Sequence, residues 1–305
     1  MKYIFIINPV AGKNNKIMGF VPRIQKICKK YKLNYTIHIS ESGEGIRTYL
    51  QSECSRRADS EEPQLRVYAL GGDGTLSHVV NGCMGYKHIE VGVIPLGTGN
   101  DFIRNFKGGA ETYLSIEKQI LAESAPIDLI KFEEEYCINM INMGLDARVC
   151  MDMPRFKQLP LVNNKGAYNL SLFYHLMKKL GRYMEIYADD KLMYKGKIAL
   201  CAISNGISCG GGFFLTPHAK VNDGFIDIAY VKVPHKTQLP KILKHIKEGT
   251  QFQEEPTKNY MKTIRCKKVR IVTKQEAPLV YDGELYTLFD QTFSIVQGGI
   301  SFIQP

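Results

Sequence analysis

The sequence predicts an α/β chain of two domains: an N-terminal doubly wound parallel-sheet domain and a second, antiparallel β-rich sandwich domain. Three observations carry that reading. Over residues 1–125, short β-branched runs alternate with helix-patterned stretches, as a parallel sheet with crossover helices requires. After Pro126, strand-like runs follow one another through turns such as Asp189-Asp190, which suits antiparallel pairing. The length, 305 residues, exceeds what one domain of about 100–200 residues needs. The expected boundaries are 1–125 and 126–289, with residues 290–305 available to complete the first domain.

In the first domain, Tyr3–Ile7 reads as a buried strand ending at Asn8-Pro9, followed by a helix around Ile17–Tyr31. Asn34–Ile39 is a second strand, and Ser42–Ser55 has helical spacing. Leu65–Leu70 is a third strand running straight into glycines, with a helix from about Thr75 to Met84. Val91–Ile94 is a fourth strand ending in a Pro/Gly turn. In the second domain the expected strands are Ile127–Phe132, Cys137–Met143, Met184–Ala188, Leu192–Ser204 and Phe225–Val233. Helical patterns near Ala167–Leu180 and Lys236–Lys247 interrupt them. The apolar Thr292–Ile303 suits pairing with either domain; an exposed edge on which a homodimer would pair is its other reading.

Composition narrows the function classes. With 44% hydrophobic and 23% charged residues, the chain is neither disordered nor fibrous. Eight scattered cysteines, with no CxxC pair, argue against a zinc site or a disulfide scaffold and fit a reducing cytoplasmic setting. The longest uncharged stretch, Ile198–Ala219, is broken by Gly206, Gly210, Gly211, Gly212 and Pro217, unlike a membrane span. The formal net charge is +10, and residues 148–274 alone carry 23 Lys+Arg against 9 Asp+Glu. Such a segment favours an anionic partner, and no nucleic-acid-binding signature accompanies it. A basic face that merely aids solubility is the other reading.

Three glycine-bearing loops follow strands of the first domain: Asn8-Pro9-Val10-Ala11-Gly12-Lys13, Gly71-Gly72-Asp73-Gly74-Thr75 and Pro95-Leu96-Gly97-Thr98-Gly99-Asn100-Asp101. Glycine lets backbone N–H groups approach an anion with no Cβ in the way, and the following helix aims its positive end at the same spot. Thr75 would serve as helix N-cap and as a hydroxyl donor to phosphate. Lys13 would add positive charge, and Asp73 would hold a divalent metal against the phosphates. Neither a P-loop nor a GxGxxG opening a helix is present.

The run Leu70-Gly71-Gly72-Asp73-Gly74-Thr75-Leu76, with Pro95-Leu96-Gly97-Thr98-Gly99-Asn100-Asp101-Phe102 after it, resembles the diacylglycerol kinase catalytic domain family of bacterial lipid kinases and sphingosine kinases. Gly144-Leu145-Asp146-Ala147, Gly210-Gly211-Gly212, Asn222-Asp223-Gly224-Phe225-Ile226-Asp227 and Asp282-Gly283-Glu284 follow in that family's order. The resemblance implies an ATP-dependent kinase acting on the hydroxyl of a lipid alcohol, diacylglycerol first, at an anionic membrane surface on the cytoplasmic side. ATP would lie between the two domains, with Asn8, Gly12, Lys13, Ser40, Gly71, Gly72, Asp73, Gly74, Thr75 and Thr98 forming the nucleotide site. Ser40 stands where the family commonly has Thr; an ordinary helix N-cap is its other reading.

The resemblance further implies Asp282 as the base that takes the lipid hydroxyl's proton, with Glu284 assisting or holding metal. If extended, both carboxylates would face one side; a plain Asp-Gly hairpin turn is the alternative. A magnesium ion would be held by Asp223 and the main-chain oxygens of Lys220 and Phe225, with Asn222 in place of the usual first Asp; an Asx-type turn is the alternative. Asp101 and Asp128 are further candidates for the acidic cluster near the nucleotide metal, or else cap and anchor. The apolar stripe Leu239, Ile242, Leu243 and Ile246 fits a membrane face or, more simply, a buried one, and Tyr168, Leu172, Phe173, Leu176 and Met177 read as core. A kinase for another lipid, an NAD kinase sharing Gly71–Thr75, and a catalytically silent lipid-binding module are the competing functions.

Overall fold

The computed structural model describes residues 1–9, 17–40, 42–56, 64–159, 162–178, 180–255 and 257–305. It divides into two compact units: Met1–Leu129 with Val221–Asp223 and Val296–Pro305, and Ile130–Lys220 with Gly224–Ile295. The chain leaves the first unit after Leu129, inside a strand, returns to it for Val221–Asp223 and rejoins it at Val296.

The first unit runs β1 (Lys2–Ile7), α1 (Phe20–Lys30), β2 (Asn34–Ile39), α2 (Gly43–Ser55), β3 (Leu65–Gly71), α3 (Asp73–Cys83), β4 (Ile89–Pro95), α4 (Gly109–Tyr113), α5 (Ile116–Leu121) and the start of β5 (Ser124–Phe132). β1 lies between β2 and β3, β3 pairs with β4, and all these pairs are parallel. Every residue of β3 and β4 is buried, as expected of parallel strands covered on both faces. On one face Tyr3, Phe5, Ile7, Tyr68, Leu70 and Ile94 pack with Ile24 and Cys28 of α1 and with Ile116 and Ile120 of α5. Buried Arg66 pairs with its cross-strand neighbour Glu90 and donates to Ile120 O at 2.7 Å and Ala122 O at 2.9 Å. One cation thus satisfies carbonyls that the end of α5 leaves over.

The second unit continues with β6 (Glu135–Cys137), β7 (Met140–Gly144), α6 (Leu145–Lys157), α7 (Asn164–Met177), β8 (Arg182–Ala188), β9 (Lys191–Ser204), β10 (Ile226–Lys232), α8 (Leu239–Glu248), α9 (Thr257–Tyr260), β11 (Met261–Cys266), β12 (Lys268–Tyr281) and β13 (Glu284–Ile303). β9 pairs with β7, β7 with β12, β12 with β8 and β8 with β9, all antiparallel, so the pairing closes on itself. Ile141, Met143, Ile186, Cys201, Ile203, Ile271 and Phe293 belong to the core of this closed sheet.

Several expectations change here. Cys137–Met143 is two strands, broken at Ile138-Asn139. α6 forms where no element was assigned from the sequence, despite Pro154 inside it. Of the two readings of Thr292–Ile303 the paired one holds: Thr292–Ser294 pair with β12 and Ser301-Phe302 with β4. α8 turns Leu239, Ile242 and Ile246 into its own unit with Leu243 partly buried, so the simpler, buried reading of the stripe holds. Conversely, α7 packs partly buried Tyr168, Leu172 and Leu176 against Leu145 and Val149 but leaves Phe173 and Met177 exposed.

Candidate active site

In the first unit the parallel strands end in step. Ile7 is level with Ile39 and with Leu70, and Gly71 with Pro95, so the segments after β1, β2, β3 and β4 emerge at one edge. That edge is where open parallel sheets take their ligands. Gly12 and Lys13 lie outside the described residues.

The two glycine loops after β3 and β4 touch backbone to backbone. A Cβ on Gly97 would stand 2.4 Å from Gly72 Cα, and one on Gly71 would stand 2.3 Å from Thr75 Oγ1. Asn100, at φ +49°, shapes the second loop: its Oδ1 accepts from Gly97 N at 3.1 Å and its Nδ2 donates to Gly97 O at 2.9 Å. Gly71 O accepts from Leu96 N at 2.8 Å. The glycines therefore let the backbones meet, and the hydrogen bonds fix them there.

Gly72, not Thr75, is the N-cap of α3, and as a glycine it brings no capping side chain. The first turn, Asp73–Thr75, so presents main-chain N–H groups at the positive end of the helix dipole. Thr75 is buried in that turn, and its hydroxyl accepts weakly from Asn8 Nδ2 at 3.4 Å. Ser40 N donates to Ile7 O at 3.0 Å and Ser40 Oγ to Ser42 O at 2.9 Å, while Ser42, not Ser40, caps α2 by accepting from Gly45 N. Gly74 is partly buried and Thr98 exposed.

Asp73 does something the motif alone did not reveal. Its Oδ2 accepts from Asp101 N at 3.0 Å and its Oδ1 from Phe102 N at 3.2 Å, pinning the loop after β4 to the loop after β3. Burial, then the neighbouring Asp101 charge, pushes its pKa up, against the pull of the N–H donors. Asp101 pairs with Arg104 at 3.2 Å. Asp128 is an anchor: its Oδ1 accepts from Gly298 N at 2.8 Å and its N–H donates to Val221 O at 2.6 Å.

In the second unit Asp282 and Gly283 do not form an extended pair. Both have positive φ, +47° and +97°, and Tyr281 pairs with Glu284, so they are the two central residues of a tight β12–β13 hairpin. The expected common face of the two carboxylates is lost. The Asp282 carboxylate is buried and accepts from Ile138 N at 2.7 Å, Asn139 N at 3.0 Å and Met140 N at 3.2 Å, with the Cys137 thiol at 3.3 Å. Burial raises its pKa to about 6, although these donors pull it down. The anchored segment reaches further: Asn139 Nδ2 donates to Ser208 O at 3.0 Å and Asn205 Nδ2 to Ile138 O at 2.9 Å. Asn139 and Asn205 were missed from the sequence; polar residues inside apolar strand runs were their signal. Glu284 stands partly exposed at the first position of β13.

Gly224, at φ +74°, turns the segment expected to hold magnesium. Asp223 is partly buried, Lys220 is exposed, and Phe225 lies under the Arg265 guanidinium, 4.4 Å from its ring. One carboxylate with main-chain oxygens is a hard-donor set suited to magnesium, which retains waters to complete six ligands. Among the described residues no cluster of three or more His, Cys, Asp or Glu side chains competes with it.

Comparison with known proteins follows the two units. The diacylglycerol kinase catalytic domain model matches residues 2–132, and the YegS C-terminal NAD kinase beta sandwich-like domain model matches residues 139–304. A probable YegS-like lipid kinase of Shewanella frigidimarina is 32% identical over 246 residues, 79% of this chain and 76% of that protein. A diacylglycerol kinase of Bacillus subtilis is 27% identical over 308 residues, 98% of this chain and 95% of that one. In fold, the chain is similar to a putative diacylglycerol kinase of Bacillus anthracis, with a TM-score of 0.75 at 23% identity, covering 100% of this chain and 97% of that one.

Proposed function

Since the chain belongs to the diacylglycerol kinase family of lipid kinases, we propose that it transfers the γ-phosphoryl group of ATP to the hydroxyl of a lipid alcohol. The names of its relatives favour diacylglycerol as acceptor, giving phosphatidic acid. The observation that carries the nucleotide half of this reading is the Gly72–Gly97 contact beside the N-terminus of α3, whose N-cap is glycine. Phosphoryl transfer needs positioning and charge neutralisation more than covalent help. The first turn of α3, with Asn8 and Thr98 around the same edge, supplies donors to a polyphosphate, Ser40 borders them, and Gly12 and Lys13 belong to the same set. Asp73 keeps the two loops in register through Asp101 and Phe102.

For the acceptor, we assign proton removal to Glu284 and a positioning role to Asp282. A base needs a lone pair within reach of the alcohol, whereas the Asp282 oxygens are turned inward onto three main-chain N–H groups. Asp282 instead fixes the hairpin that begins β13, and hence the backbone of Glu284. Magnesium, when held by Asp223 and the main-chain oxygens of Lys220 and Phe225, supplies positive charge that orders that turn. The test is labelled ATP with a panel of lipid alcohols in mixed micelles, with and without magnesium, and with NAD as control acceptor. Magnesium-dependent labelling of diacylglycerol is expected; labelling of NAD, or of no lipid, would refute the reading.

A further inference from the structure

The helices α2 and α3 both start at the strand-end edge of the first unit, and each carries a glycine where the other packs against it. A Cβ on Gly82 of α3 would stand 3.0 Å from Leu50 Cβ and 3.1 Å from Arg47 Cα of α2. Nearer the edge, a Cβ on Gly43, the first residue of α2, would stand 2.0 Å from Nε2, 2.3 Å from Cε1 and 2.4 Å from Cδ2 of His78. Three atoms of one flat ring fill that space, so no small rotation of His78 would clear it. Gly45 sits in the same way on Ser40, with its Cβ position 2.7 Å from Ser40 Oγ. Glycine is a poor helix former, so two of them in the first turn of α2 give up helix propensity for close approach.

His78 is half-buried and lies one turn on from Gly74 and Thr75, on their side of α3. Arg47 Nε donates to its Nδ1 at 3.2 Å. A neutral ring that accepts at Nδ1 carries its proton on Nε2, the nitrogen turned toward Gly43. One side chain of α2 thus holds the ring, and the ring holds the start of α2. The turn from Ser40 to Gly45 is fixed on its other side by the sheet, where Ser40 N donates to Ile7 O at 3.0 Å. β2 is the outermost strand of the parallel set, paired with β1. The helix-side contact therefore matters more here than beside a strand held from both flanks.

We infer that His78 is a positioning residue for the nucleotide: by filling the space beside Gly43 it sets the Ser40–Gly45 turn against the first turn of α3, so that both helix starts face one polyphosphate. It acts through Gly43 and Ser40 and takes no part in the chemical step. Small displacements of groups that hold a substrate are costly, which is how a side chain one helix turn away from the site governs affinity. The inference deepens the proposed function and rests on its nucleotide half. Glu284, the assigned base, belongs to the other unit. Loss of His78 should accordingly fall on nucleotide affinity and spare turnover.

The experiment measures binding of ATP with magnesium to the full chain by titration calorimetry, with no acceptor present, and then steady-state transfer to diacylglycerol in mixed micelles. His78→Ala is expected to weaken ATP binding about tenfold. KM for ATP should rise alike, with kcat and KM for diacylglycerol within about twofold of wild type. Gly43→Ala, whose Cβ must displace the ring, should also weaken ATP binding about tenfold. The two together test the contact itself. Once the ring is gone the Cβ has room, so Gly43→Ala in the His78→Ala background should add less than about twofold. Should His78→Ala not fold, His78→Asn, which keeps an acceptor toward Arg47 but vacates the place of the ring, is read against the same limits. Unchanged ATP binding in the His78 variant, a fall in kcat larger than the rise in KM for ATP, or a second full tenfold loss in the double variant would each overturn the inference. Wild type that binds ATP while the variants match it sinks the inference alone, whereas wild type that binds no ATP sinks the proposed function with it.

Discussion

The Gly72–Gly97 contact of the first unit and the Asp282-Gly283 turn of the second both look, in one dimension, like glycine-marked chemistry. In three dimensions they differ in kind. At Gly72 and Gly97 the side chains are missing so that two backbones can meet, at the point where the next helix begins. At Asp282-Gly283 the glycine only closes a hairpin, and the neighbouring carboxylate is drawn inward to satisfy three main-chain donors. A motif locates a site, but which of its atoms remain for substrate depends on partners distant in sequence. The partners of Asp282 are Ile138, Asn139 and Met140, more than 140 positions away.

The largest effect that separates the two regions is expected from Gly97→Ala. Its Cβ would press on Gly72 Cα, a backbone atom that cannot rotate aside. Overpacking of this kind costs about 1–3 kcal/mol, and kcat/KM for ATP should fall about thirty- to hundredfold. Unchanged steady-state kinetics would mean that the loops do not need this contact.

Asp282→Asn should act on stability first. One amide oxygen replaces a carboxylate that holds three N–H groups, and the new NH2 faces donors. A loss of about 2–3 kcal/mol, or about 5–10 °C in melting temperature, is expected by calorimetry. An unshifted melting curve would free Asp282 from its anchoring role. The pH dependence sharpens the point. The carboxyl titrates near pH 6 in the folded state against 3.8 for an unperturbed Asp. Between those values the folded chain holds a proton that the unfolded chain has lost. This contribution is fully present below pH 3.8 and is lost as pH rises through 6, an amount of about 3 kcal/mol. The stability gap between wild type and Asp282→Asn should therefore narrow from pH 4 to pH 7 in urea unfolding, and a widening gap would contradict the assignment.

Ser40→Ala is expected to show the smallest effect. The hydroxyl donates to Ser42 O beside the nucleotide edge, so KM for ATP should rise no more than about fivefold, consistent with one neutral hydrogen bond of about 1 kcal/mol. A hundredfold rise would promote Ser40 to a primary phosphate contact.

Much of the first unit was legible because its physics is local. β2 spans the Asn34–Ile39 run read from the sequence, and β3 runs into its glycines as a fully buried strand. The breaks in legibility lie where distant contacts decide. Cys137–Met143 splits because the Asp282 hairpin captures the backbone of Ile138 and Asn139. α6 forms across Pro154 because Leu145 and Val149 have α7 to pack on. Phe173 and Met177 read as core because apolar residues at helical spacing give no sign of which side a neighbouring layer covers.

The division of labour between Glu284 and Asp282 is tested most directly by single-turnover phosphoryl transfer, measured on folded Glu284→Gln and Asp282→Asn proteins below the melting temperature of each. Loss of proton acceptance should slow Glu284→Gln by about a thousandfold with an unchanged melting temperature. Asp282→Asn should retain turnover within about tenfold of wild type while melting earlier. A fully active Glu284→Gln protein, or a stable but inert Asp282→Asn protein, would contradict it.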